Sequence, residues 1–74
     1  MDYKDYITIN PSKRSGKPCI RDTRITVYDI LEYLASGMTV EDVLKDFNEL
    51  NKNDILACLS YATDREKKSI ILAS

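Results

Sequence analysis

Between Thr26 and Asp54 the chain carries the same helix-start signal three times: Thr26-x-x-Asp29, Thr39-x-x-Asp42 and Asn51-x-x-Asp54. In each, an oxygen-bearing side chain precedes an apolar stripe and an acid follows three residues on. This is the pattern of a capping box, with Asp where Glu is usual. The acids fall in the first turn, where the helix dipole favours negative charge. Val27, Ile30, Leu31 and Leu34 make the first stripe, and Gly37 stands where a left-handed residue closes a helix, so a helix is predicted over 27–36. Val40, Val43, Leu44 and Phe47 make the second stripe, whose period breaks at Asn48-Glu49-Leu50. Ile55, Leu56, Leu59 and Ala62 make the third. That helix is predicted from Lys52 to about Arg65, with residues 64–68 able to prolong it. All three stripes are expected to be core.

Upstream, Tyr6-Ile7-Thr8-Ile9 alternates and is rich in strand formers, and Asn10-Pro11-Ser12 ends it with turn chemistry. Pro18-Cys19-Ile20 is the candidate for a second extended piece pairing back on it. So short a hairpin is marginal in water and must pack on the helices or on another chain. The expected fold is therefore mainly α: a tri-helical, helix-turn-helix-like bundle with a short N-terminal β arm. It forms one domain over 1–74, with the arm and basic loop at 6–26, the three-helix body at 27–66 and an apolar tail at 69–74. Ser69-Ile70-Ile71-Leu72-Ala73-Ser74 reads as a terminal strand or as a hook for a partner.

At 74 residues the chain buries only about 60 % of its unfolded surface, so association is a natural stabiliser and a homodimer is expected. No apolar run approaches the length of a membrane span, and Met1-Asp2-Tyr3-Lys4-Asp5 does not resemble a secretory leader, so a cytoplasmic location is expected. Two cysteines, Cys19 and Cys58, are too few for a metal knuckle or a disulfide framework. With no His at all, zinc sites and His-based catalysis are excluded in practice, and neither a cofactor nor an enzymatic activity is expected.

Charge is unevenly spread on a chain whose net charge is −1. Lys13, Arg14, Lys17, Arg21 and Arg24 stand together with only Asp22 against them, whereas residues 25–64 are strongly acidic. A basic loop on an acidic body suggests an anionic partner for the loop. The loop continues as Gly16-Lys17-Pro18-Cys19-Ile20-Arg21-Asp22-Thr23-Arg24-Ile25-Thr26-Val27, running straight into the first cap. Lys17, Arg21, Thr23 and Arg24 are its candidate contact residues, with Lys52 and Asn53 at the start of the third helix. Arg21 and Arg24 serve one ligand only if the chain turns at Asp22-Thr23. Otherwise at least one of them pairs with a helix carboxylate such as Asp29 or Asp42.

The string Gly16-Lys17-Pro18, Ile20-Arg21-x-Thr23-Arg24-Ile25-x-Val27, Ile30-Leu31, Gly37-x-Thr39-x-Glu41-Asp42-Val43 and Asp54-Ile55-x-Ala57-x-Leu59-x-Tyr61-Ala62 resembles a known class. This is the domain-of-unknown-function family four hundred and thirty-three, whose members are described as short helix-turn-helix, VapB-type antitoxin-like proteins. The resemblance spans about residues 6–63 and is most specific in the Gly-Lys-Pro to Thr-Arg-Ile segment. It implies a tri-helical domain with a β arm, a PIN-like nuclease toxin as partner, and binding of the protein's own promoter. This chain departs from the family pattern in carrying Ser15-Gly16 for Gly-Gly, Asp22 for Gly, Phe47-Asn48 for Tyr-Pro, and Asn51 for a capping Thr. If the position of Asp22 needs positive φ, Asp tolerates it better than most residues.

Together these readings predict an antitoxin-like regulatory protein that neutralises a PIN-like nuclease and also binds DNA weakly. The alternatives are a stand-alone helix-turn-helix DNA-binding protein and an interaction module with no nuclease partner. The third helix begins Lys52-Asn53-Asp54 and has no Arg before Arg65, a poor set for reading a major groove, although Asn53 suits adenine. That favours the protein partner, whose active site is a cluster of metal-binding carboxylates.

Overall fold

All three predicted caps close as reciprocal boxes. The computed structural model describes the backbone of residues 1–73 and the side chains of residues 1–68. The Thr26 hydroxyl accepts from the Asp29 amide (2.9 Å) while Asp29 Oδ2 accepts from the Thr26 amide (3.1 Å), and helix α1 runs Val27–Ala35. Thr39 and Asp42 repeat this at 3.1 and 3.0 Å, opening α2 at Val40–Asp46. Asn51 and Asp54 repeat it again at 3.1 and 2.9 Å, opening α3 at Lys52–Ala73. Each box satisfies two backbone donors that a helix start otherwise leaves without partners.

Between Asn10 and Cys19 the chain is pulled into a tight left-handed loop. Arg14, Ser15 and Gly16 have φ of 50°, 59° and 79° in succession. Adding a Cβ at Gly16 meets nothing nearer than the Pro11 Cα at 3.8 Å, so glycine is needed there for its backbone freedom and not for space. Ser15 holds the same conformation at a cost of about 1–2 kcal/mol. Ser15→Gly removes that strain and adds freedom to the unfolded chain, a smaller opposing effect. The expected net gain is about 0.5–1 kcal/mol, read as a higher urea midpoint at unchanged m-value; a lower midpoint would contradict it.

The loop joins two short antiparallel strands, β1 (Ile7–Thr8) and β2 (Cys19–Ile20), with Ile7 opposite Ile20 and Thr8 opposite Cys19. Both are shorter than the extended runs predicted from Tyr6–Ile9 and Pro18–Ile20. The arm is covered from below: Ile7 and Ile20 enter one core with Val27, Ile30, Val43, Leu50, Ile55, Ala57 and Cys58. A turn of 3-10 helix at Tyr3–Asp5 anchors the N-terminus on α3. There the Tyr3 ring meets Tyr61 edge-on at 5.3 Å, and its hydroxyl donates to Asp64 at 2.6 Å.

The third stripe needs correction. Ile55 is buried as predicted, but Leu56 and Leu59 are 42 % and 40 % exposed, and Asp54, Ala57 and Cys58 are buried instead. The buried face is a second apolar pattern at helical spacing, Ile55-Cys58-Ala62 and Ala57-Tyr61, with Ala62 and Tyr61 half-buried, and Asp54 lies on it where it meets Arg21. The helix starts at Lys52 as predicted but runs past 65–68 to Ala73, so residues 69–73 are helical instead of a terminal strand. The side chains of Ile70-Ile71-Leu72, read as part of a hook for a partner, lie outside the described residues.

Candidate functional site

The basic segment folds into a braced knuckle at one end of the bundle. β2 ends in a turn in which the Thr23 amide donates to the Ile20 carbonyl at 2.9 Å. The Thr23 hydroxyl donates to the same carbonyl (2.7 Å) and accepts from the Ile25 amide (3.1 Å), so this predicted contact residue is bound up in the turn itself. Two cations of the left-handed loop then clamp the turn from outside. Lys13 Nζ donates to the Asp22 carbonyl at 3.2 Å, and Arg14 Nη1 donates to the Arg24 carbonyl at 2.7 Å. Arg14 also lies 3.3 Å from Asp29 Oδ2 and so ties the knuckle to the first cap.

Arg21 is held most firmly. Its Nε donates to Asp54 Oδ1 at 3.0 Å, its Nη2 to Asp54 Oδ2 at 2.8 Å, and Nη2 also to the Glu49 carbonyl at 2.9 Å. The carboxylate end is fully buried while the Arg21 side chain is 41 % exposed. Asp54 thus carries two duties, closing the cap of α3 and receiving the fork of Arg21. Burial pushes its carboxyl up, but Arg21 and the Asn51 amide outweigh burial and hold it below the usual carboxylate range. Asp54 in turn keeps the Arg21 guanidinium charged, chiefly through its hydrogen bonds.

The turn required at Asp22-Thr23 is present, yet positive φ belongs to Arg21 (47°) and not to Asp22. The carboxylates proposed for these arginines are also reassigned: Arg21 takes Asp54, and Arg14 takes Asp29. Arg24 and Lys17 are exposed, and among the described residues neither side chain has a hydrogen-bond or ion-pair partner. Lys52 and Asn53 are exposed at the start of α3, immediately before Asp54. The structure therefore brings Arg21, Lys52 and Asn53 to the N-terminal end of α3, with Arg24 on the turn beside them in sequence. Lys13, Arg14 and Asp54 escaped the sequence-based selection. In the sequence Lys13 and Arg14 are marked only by their charge and Asp54 only as a capping acid, and neither signal names a distant partner.

Elsewhere, a groove of about 460 Å³ lies between α1 and α3, lined among others by Val27, Tyr28, Leu31, Tyr61 and Arg65. Cys19 and Cys58 are buried free thiols, and burial together with the Asp54 charge pushes the Cys58 thiol up to about 12. It stays protonated near neutral pH. Among the described residues no three Cys, Asp or Glu side chains gather closely enough to hold a metal ion, and no helix is long and apolar enough to cross a membrane.

The family model described as a protein of unknown function, DUF433, matches residues 7–62, from β1 through the part of α3 that carries the core. The uncharacterized protein y4eO of Sinorhizobium fredii (strain NBRC 101917 / NGR234) is 32 % identical over 59 residues. That match covers 80 % of this chain and 27 % of the relative, so the chain spans about a quarter of that protein's length. The crystal structure of a DUF433 member protein from Anabaena variabilis ATCC 29413 superposes with a TM-score of 0.79 at 26 % identity, covering 96 % of this chain and 71 % of that one. With its arm, knuckle, first two helices and the capped start of the third inside the matched span, the chain belongs to the DUF433 family.

Proposed function

We propose that this protein is an antitoxin-like regulatory protein that binds and neutralises a PIN-like nuclease through its basic knuckle. The observation that carries this reading is Arg24, an exposed guanidinium on a turn whose backbone is clamped by Lys13 and Arg14. A planar fork on a stiff support suits bidentate contact with carboxylates, and little entropy is lost when it docks. A nuclease site built from metal-binding carboxylates offers that target. Arg21, committed to Asp54, serves as a brace. The acidic body favours an orientation in which the knuckle alone meets the anionic partner.

Promoter binding is the weaker part of the reading. Lys52 and Asn53 are exposed at the start of α3, but the outward side of that helix continues with Leu56 and Leu59 instead of cations. Phosphate contacts supply most affinity for DNA, so a single exposed cation, Lys52, over the first turns of the reading helix means weak, salt-sensitive binding.

Co-expression with a PIN-like nuclease encoded beside it tests the proposal. The two proteins are expected to co-purify with the nuclease inhibited, and Arg24→Ala is expected to weaken binding about 10–100-fold without lowering the melting temperature. Separate elution of the two proteins would remove the nuclease reading. A promoter shift lost steeply with salt, with no nuclease bound, would favour the stand-alone DNA-binding alternative.

A further inference from the structure

The outward face of α3 is self-complementary. Lys52, Leu56, Leu59, Thr63 and Glu66 recur at spacings of four and three, which places them in one stripe along the helix, and all five are exposed. Met1 widens the stripe: it is 61 % exposed, and its carbonyl accepts from Ser60 on the same helix at 3.4 Å. Three of the five large exposed apolar side chains of the described residues therefore lie here, and the ends of the stripe bear opposite charges.

We infer that a second copy of this chain packs antiparallel on the α3 stripe, so that Leu56 and Leu59 of the two copies meet around a two-fold axis. In that arrangement Lys52 of each copy lies beside the Thr63–Glu66 turn of the other, and the symmetry makes two such charge contacts. The same stripe read against itself in parallel would set Lys52 on Lys52 and Glu66 on Glu66, which disfavours that orientation. A foreign partner has no reason to share this internal symmetry; a second copy has it by construction. The pairing also removes the outward side of α3 from any major groove, independently of what the knuckle binds.

Sedimentation equilibrium of the full chain is the test. The wild type is expected to dimerise with a dissociation constant of ~1–100 µM, as befits a contact of about three helical turns. Leu59→Glu is expected to weaken it at least about 10-fold with the melting temperature of the monomer unchanged, since Leu59 lies outside the core. Lys52→Glu and Glu66→Lys each place like charges together and are expected to weaken the dimer about 3–10-fold. The double variant K52E/E66K is expected to return to within about twofold of the wild type. The two positions stand about 21 Å apart on one helix, so rescue can arise only between copies. A wild type monomeric at about 100 µM, a dimer indifferent to Leu59→Glu, or a double variant no tighter than the singles would overturn the inference.

Discussion

Replacing Arg21 by Ala is expected to destabilise the domain by about 2–4 kcal/mol, a drop of about 10–25 °C in melting temperature. Its removal leaves the fully buried Asp54 carboxylate with the Asn51 amide as its remaining donor. Breaking a buried pair from one side is costly because the charge left behind has neither water nor a counter-ion. The expected loss lies toward the low end for such pairs, since Arg21 itself is partly open to water. The effect is propagated by position: Asp54 is also the third residue of the α3 cap, so disturbing it loosens the start of the helix that anchors the core. Arg21→Lys restores a charge but not the fork, and is expected to recover only part of the loss. Asp54→Asn in the Arg21→Ala background removes the orphaned charge, so the double variant is expected to be more stable than the sum of the singles predicts. Thermal melts followed by circular dichroism decide the matter. An unchanged melting temperature for Arg21→Ala would overturn the bracing role and return Arg21 to the set of contact residues.

Acid is expected to unfold the protein through its caps. Asp54 is not alone in being held below the usual range. Burial pushes Asp29 up, but the Thr26 amide and hydroxyl and then Arg14 outweigh it; Asp42 is lowered by the Thr39 amide and Asp64 by the Tyr3 hydroxyl. In the unfolded chain each titrates near pH 3.9, so between the folded and unfolded pKa values the unfolded state binds more protons. Stability from these groups is therefore complete above about pH 5 and is lost as pH falls through the depressed folded values. With no His in the chain, no side chain of ordinary pKa titrates between pH 5 and 8, and stability there is expected to be flat. The melting temperature at pH 2.5 is expected to lie about 10 °C or more below that at pH 6, with Asp54→Asn giving a shallower decline from a lower plateau. Stability that rises on acidification would contradict the assignment.

The two predictions converge on the aspartate that carries most of the site's organisation. In the sequence Asp54 is legible only as the third capping acid. Nothing in Asn51-Lys52-Asn53-Asp54 announces that a cation 33 residues upstream will cover it. Leu56 and Leu59 face outward because Ile55, Ala57 and Cys58, on the same face as Asp54, take the core instead. Positive φ likewise appears at Arg21, where no glycine marks it.

What the sequence determined by itself is local. Three caps, three helix starts and the two short extended pieces of the arm are written within a few residues of where they form, because reciprocal side-chain-to-backbone hydrogen bonds and turn chemistry need only neighbours. From sequence, the turn at Asp22-Thr23 is only a condition for Arg21 and Arg24 to share a ligand. The family was legible for the same reason, in the contiguous Gly-Lys-Pro to Thr-Arg-Ile segment. Only the tertiary structure decided which face of α3 is buried, which arginine braces and which stays free, and how Tyr3 anchors on Tyr61 and Asp64. Those outcomes hang on pairings between distant charges and rings. Burying one carboxylate requires its counter-ion to be in place, and that counter-ion comes from a residue far away in the sequence.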